Sequence, residues 1–191
     1  MKNAFIFHGT GGYPEENWFP WLKTKLDEQG ILTTVPQFPT PEGQSLEAWL
    51  AVMQPHESEI DEETVLIGHS LGGLFLLRYL EQLGHSVGAS VFVAASAGVK
   101  PIKLYEADSE FSGGFDFNWG AIRRNAGTTA VFHSDNDPYV SLGNGEKIAA
   151  KLGVTLHRIT HAGHFNTTAG YTTFPLLQKE IEHMKGEVRQ P

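Results

Sequence analysis

The 191-residue sequence predicts an α/β fold in three layers, a six-stranded, mainly parallel sheet between two layers of helices. Two observations carry that expectation. Six short runs rich in β-branched and aromatic residues, at 3–8, 31–36, 63–68, 88–95, 128–134 and 154–159, alternate with segments of helical character. Strands in such alternation pair in parallel, because a crossover must return each one to the same end of the sheet. Four of the six runs are also nearly continuous in apolar or small residues, as in Ala89-Ser90-Val91-Phe92-Val93-Ala94. That is the pattern of central strands covered on both faces.

In chain order, the first run belongs to those four and ends in His8-Gly9-Thr10-Gly11-Gly12, a glycine-rich turn. A helix is expected near 15–29. Run 31–36 carries Thr33 and Thr34, and run 154–159 carries His157 and Arg158, so both read as sheet edges. A helix near 45–60 precedes run 63–68. The helix expected at 71–83 is apolar nearly all round, as a helix buried in the middle of a domain is. After run 88–95 comes the longest irregular stretch, Ala97–Gly120, a length at which loops in compact domains carry function or motion. Helices near 116–125, 142–152 and 173–186 complete the alternation. No repeat, low-complexity tract or linker interrupts it, so residues 1–191 read as one domain.

Composition narrows the function. The 22 acidic residues outnumber the 14 basic ones, leaving a net charge of −8, and no basic run occurs. That argues against nucleic acid or an anionic membrane as the main partner. The absence of cysteine removes disulfides, thiolate metal sites and cysteine nucleophiles. The apolar stretch at the N-terminus is too short for a signal peptide, and no run reaches membrane-spanning length. A cytoplasmic protein, monomeric or weakly dimeric, is the expectation.

The most informative motif is Gly68-His69-Ser70-Leu71-Gly72, placed directly between the apolar run Thr64-Val65-Leu66-Ile67 and the helical Leu74-Phe75-Leu76-Leu77. A G-x-S-x-G strand–turn–helix is a nucleophile elbow: a tight, strained turn lifts the serine hydroxyl clear of the sheet. Small flanking residues let strand and helix approach. The Leu71 amide, at a helix N-terminus, then points toward negative charge developing near Ser70. A serine needs a base, and the base needs an orienting group. In open parallel sheets such groups gather beyond the carboxyl ends of the strands. Run 128–134 leads into Asp135-Asn136-Asp137-Pro138-Tyr139, and run 154–159 into His161-Ala162-Gly163-His164-Phe165. Asp137, which precedes a proline, is preferred as the acid over Asp135, which reads as a turn residue. His164 is preferred as the base over His161, a structural or rim residue. The spacing of His157, His161 and His164 also fits three metal ligands on one helix face. Gly163 and the strand character of 154–159 argue against that helix, and no metal is expected. The Gly9–Gly12 turn lacks a phosphate loop's Lys-Ser/Thr ending. It is read instead as the source of a second oxyanion donor, the Thr10 amide, with His8 holding the loop.

Taken together, these segments resemble the small α/β-hydrolases that include retinoblastoma-binding protein 9 and the bacterial YdeN proteins. The resemblance also draws on Asn17-Trp18-Phe19-Pro20-Trp21-Leu22 and Trp49, and it runs nearly end to end. It implies a truncated α/β-hydrolase fold whose first strand corresponds to the third of the full fold, with no cap domain. The L-x-C-x-E segment through which the human relative is named for binding a retinoblastoma protein does not carry over, because this chain has no cysteine.

The expected activity is serine hydrolysis of a small ester, thioester or amide through an acyl-enzyme, with a Ser70-His164-Asp137 triad, Leu71 and Thr10 as oxyanion donors and no cofactor. The expected partner is a small-molecule acyl substrate. Phe115, Phe117, Trp119, Tyr139 and Phe165 are the expected pocket aromatics, whereas Trp18 and Trp21 are expected to pack a helix onto the sheet. The alternative is a protein-binding adaptor on a hydrolase scaffold with little or no turnover.

Overall fold

The computed structural model describes residues 1–103 and 108–187. Its sheet contains β1 (Asn3–Phe7), β2 (Leu32–Thr34), β3 (Thr64–His69), β4 (Ala89–Val93), β5 (Thr128–Ser134) and β6 (Leu156–Ile159). All five pairings are parallel and the order is β2-β1-β3-β4-β5-β6, so the two runs read as edges do lie at the edges. β1, β3 and β4 are buried along their whole length, whereas Leu32 on β2 is two-thirds exposed.

The period-two alternation of side chains divides the apolar residues between the faces. Phe5 and Phe7 join Leu66, Phe92 and Val131 on one side, while Ala4 and Ile6 join Val65, Ile67, Val91 and Phe132 on the other. Helices α2 (Leu46–Met53), α3 (Leu71–Gln82), α5 (Trp119–Asn125) and α6 (Leu142–Leu152) cover the first face. α1 (Phe19–Glu28) and α7 (Pro175–Glu187) cover the second. These are the three layers. Ten of the twelve residues of α3 are buried, which explains its all-round apolar sequence. Trp49 stacks on Phe38 with ring centroids 4.3 Å apart and meets Phe75 of α3 edge-on, pinning α2 to the central layer.

Helix ends depart from the periodicity for local reasons. The helix expected over 45–60 becomes a 3₁₀ turn at Gln54–Glu59 once Pro55 enters, and its start is capped by Ser45 Oγ, which accepts from the Ala48 amide at 3.0 Å. The helix expected from 116 begins at Trp119, because Asn118 takes the cap position and accepts from the Ala121 amide. The stretch expected to be irregular contains α4 (Ser109–Ser112) and a 3₁₀ turn at Gly113–Phe115, while 104–107 lie outside the described residues.

The topology positions the site. From β1 the chain first moves outward to β2 and then crosses back to β3, so the crevice between the carboxyl ends of β1 and β3 is the switch point of the sheet. The glycine-rich turn after β1 and the serine elbow after β3 meet there.

Candidate active site

Ser70 occupies the one-residue turn between β3 and α3 with φ 56° and ψ −121°, in the left-handed region that costs a non-glycine residue about 1–3 kcal/mol. The turn survives because its surroundings fix it. The Ser70 amide donates to Val93 O on β4 at 3.0 Å, and the Gly73 and Leu74 amides donate to Ser70 O. At Gly72 a Cβ would stand 2.1 Å from Phe7 O, so only glycine lets α3 start this close to β1. The Ser70 hydroxyl makes no capping bond to α3 and is left for the cavity. Leu71, the first residue of the helix, has an amide without an intrahelical acceptor.

The turn after β1 lies directly against this elbow: a Cβ at Gly9 would come within 2.9 Å of Ser70 Cβ. Buried His8 holds the turn, as the sequence suggests. Its Nε2 accepts from the Phe38 amide at 3.1 Å and its Nδ1–H donates to Gly9 O at 2.9 Å. Burial holds its pKa below the usual histidine range. Beyond Gly9, Thr10 Oγ1 donates to Asp108 Oδ1 at 2.6 Å. The same oxygen accepts from Gln44 Nε2 at 2.7 Å, and the Gly11 amide donates to Thr40 Oγ1 at 2.7 Å. Asp108, Gln44 and Thr40 therefore fix the loop that carries the Thr10 amide. Sequence reasoning missed all three, since Asp108 stands 98 residues from Thr10 with no motif around it.

Asp137 and His164 come together from two different strand ends. His164 Nδ1 lies 2.7 Å from Asp137 Oδ2, and the Asp137 side chain is fully buried. Asp137 Oδ1 accepts from the Tyr139 and Val140 amides at 2.8 and 3.0 Å. Burial alone would raise the Asp137 pKa. The hydrogen bond and charge of His164, with the two amides, outweigh it and hold the carboxyl below its ordinary range. Asp135 serves elsewhere: it accepts from the His161 amide at 2.9 Å and faces Arg158 at 3.4 Å. Its neighbours fasten the same loop, Ser134 Oγ accepting from the Ala162 amide and Asn136 Oδ1 from the Gly163 amide. His161 itself points outward, its side chain 82% exposed, and His157 stacks on Phe132. The three histidines at metal-compatible spacing thus face different surroundings.

Two further histidines act as braces. His69 donates Nε2–H to His164 O at 2.8 Å; fully buried, it has its pKa pushed down to about 3 and stays neutral. His133 donates to Val140 O at 2.9 Å, tying the Asp137 loop to β5. Trp18, expected as packing, is buried against Phe19 and Phe174, and its Nε1–H also donates to Phe165 O at 3.0 Å. These bonds clamp the histidine loop from the second face of the sheet.

Ser70, His164, Thr10 and Leu71 open onto one cavity of about 210 Å³, walled by Leu74, Ile102 and Val140 among others. Of the five aromatic residues expected there, Tyr139 lines it and meets the His164 ring edge-on at 4.9 Å. The other four are placed differently. Phe165 is buried in the opposite core against Tyr171 and Phe174. Phe115, Phe117 and Trp119 pack on the first-face core, where the Arg78 guanidinium sits 4.2 Å above the Phe117 ring. Arg78 also donates to the carbonyls of Phe111, Ser112 and Asp116, so it draws that whole segment onto α3 and away from the cavity.

A serine at a strained elbow, with a histidine–aspartate pair on the same cavity, is a hydrolase arrangement, and relatives agree. The serine hydrolase profile matches residues 4–183. The chain belongs to the serine hydrolase family. This serine hydrolase is 31% identical over 178 residues to a protein of Bacillus subtilis named as a hydrolase, YdeN, covering 92% of each chain. It is 29% identical over 170 residues to the serine hydrolase RBBP9 of Rattus norvegicus, covering 86% of this chain and 88% of that one. The crystal structure of YdeN superposes with a TM-score of 0.88 over 97% of this chain and 100% of that chain. The protein is therefore an enzyme with a truncated α/β-hydrolase fold, and among the described residues no helix is long and apolar enough to cross a membrane.

Proposed function

We propose that this serine hydrolase cleaves a small ester, thioester or amide by way of an acyl-enzyme on Ser70. The observation that carries the reading is the 2.7 Å His164–Asp137 pair on the cavity that Ser70 enters from a strained turn. The Asp137 bond to Nδ1 leaves Nε2 as the nitrogen that takes the Ser70 proton and later delivers it to the leaving group. Ser70 Oγ attacks the carbonyl carbon, and the negative charge on the carbonyl oxygen is met by the Leu71 and Thr10 amides. Water then repeats the sequence on the acyl-enzyme. Every step uses side chains and amides of this chain.

The size of the cavity favours a small acyl group, being below the roughly 300–1,000 Å³ of sites for drug-sized ligands. Treatment with a fluorophosphonate probe tests the reading: a single adduct on Ser70 is expected, and none in Ser70→Ala at unchanged thermal stability. Labelling of a different serine, or full ester turnover by Ser70→Ala, would refute it.

A further inference from the structure

Two recesses meet at Ser70. Besides the cavity already described, a trough of about 310 Å³ shares Thr10, Ser70, His164 and Asn166 with it. Their remaining walls differ in chemistry. The cavity is backed by buried Leu71, Leu74 and Val140, whereas the trough runs out between exposed Tyr13 and exposed Thr167 and Thr168. Glu16 lies along it. This half-buried carboxylate rests on the oxyanion loop, 2.5 Å from where a Cβ at Gly12 would stand. No lysine or arginine stands among the described residues lining the trough. Burial pushes the Glu16 pKa up, against the Tyr13 amide and the nearby His164. Among the described residues lining the trough, a carboxylate beside the reacting atoms therefore goes without a lysine or arginine partner.

We propose that the trough is a leaving-group subsite for substrates whose alcohol, thiol or amine portion carries an organic cation, with Glu16 as its counter-charge and the Tyr13 ring as a face for it. The inference rests on the hydrolase reading above. The acyl group stays covalently held through the second half of the reaction and belongs in the apolar-backed cavity, while the first product must escape, which the exposed rim of the trough permits. In the step concerned, the Ser70 Oγ–carbonyl carbon bond forms and the carbonyl carbon–heteroatom bond breaks. The serine proton passes through His164 to that heteroatom, so the product leaves as a neutral hydroxyl, thiol or amine bearing its ammonium tail. A quaternary ammonium suits both partners, because it is attracted by a carboxylate and by an aromatic face.

The test compares propionylthiocholine with its uncharged isostere, the 3,3-dimethylbutyl thioester of propionic acid, in the wild type and Glu16→Gln. The wild type should favour the cation in kcat/KM by roughly five- to tenfold. The preference should shrink with added salt and fall to near unity in Glu16→Gln. The ratio is the readout, so a general loss of turnover in the variant cancels. Equal kcat/KM in the wild type, or a preference that survives in Glu16→Gln, would overturn the proposal. So would a loss in Glu16→Gln that strikes both thioesters alike and leaves their ratio at the wild-type value, since that is the mark of a group acting only on the His164 charge. If neither thioester is turned over, protection from the fluorophosphonate decides. Choline should then slow Ser70 labelling more than 3,3-dimethylbutanol does, in the wild type alone, and equal protection overturns the subsite. Failure of the probe to label Ser70 at all would remove the hydrolase reading and the subsite with it.

Discussion

The loops after β5 and β6 and the segment after β4 lie at the same end of the sheet, yet they are held in opposite ways. Residues 134–140 and 161–165 are knitted to each other by short polar links: Ser134, Asp135 and Asn136 each accept from an amide of the histidine loop, and Asp137 accepts from its imidazole. The segment 111–117 is instead held from below by one long side chain, Arg78, which reaches three of its carbonyls and one of its rings. The first arrangement fixes the positions of individual polar atoms. The second fixes a surface, which needs only to be filled.

The comparison breaks most visibly at the acid. Asp137→Asn should leave the protein folded and lower kcat by roughly a thousand-fold or more, because His164 then favours the wrong tautomer. Asp135→Asn removes only a loop anchor and should cost far less. Equal losses in steady-state ester assays would mean that the two carboxylates share the role.

Arg78→Met addresses the other region. It strips a buried guanidinium from several carbonyl acceptors and should destabilise the fold by about 2–4 kcal/mol in urea titrations. Molecules that remain folded should keep most of their turnover. A collapse of kcat at unchanged stability would mean that the segment after β4 belongs to the catalytic geometry after all.

A third test uses pH. His69, which joins the two regions' common elbow to the histidine loop, has a folded pKa of about 3 against an ordinary 6.5. The unfolded chain binds the proton first, so the stability His69 confers is complete above about pH 6.5 and is lost as pH falls from there toward 3. The slope is about 1.4 kcal/mol per pH unit within that window. His69→Gln should flatten this part of the stability–pH curve, and an unchanged slope would contradict the brace.

The smallest expected effect concerns the cavity wall. Leu74→Ala should move the optimum of an acyl-chain series of p-nitrophenyl esters toward longer chains. Each newly accommodated methylene contributes about 0.8 kcal/mol, close to fourfold in kcat/KM. Trp119→Ala should leave the optimum where it was, since Trp119 packs on the core and not on the cavity. A shift with Trp119→Ala and none with Leu74→Ala would restore the aromatic wall that the sequence suggested.

These contrasts explain what the sequence could disclose. The elbow is legible because a strained serine turn demands small residues at fixed offsets, and a Cβ at Gly72 would stand only 2.1 Å from Phe7 O. The sheet order at the edges is legible because Thr33, Thr34, His157 and Arg158 interrupt otherwise apolar runs. Asp137 and His164 stand out in the sequence as candidates because each follows a strand end in a short polar loop. The placement of Phe115, Phe117 and Trp119 was not legible, because nothing local announces that Arg78, 38 residues before Asp116, bonds to its carbonyl. The Asp108–Gln44–Thr40 support of the glycine-rich turn escaped for the same reason. Long-range partners chosen by packing leave no periodic or spaced signal in one sequence.

The central claim is that Ser70 carries the acyl group between two half-reactions, and the acyl-enzyme itself is the direct measurement. The protein is mixed with a short p-nitrophenyl ester, quenched in acid within milliseconds, weighed intact and mapped by peptide mass. The account predicts a transient adduct of one acyl mass on the peptide bearing Ser70, absent in Ser70→Ala. Rapid turnover with no adduct at any quench time, or an acyl group residing on another residue, would contradict it.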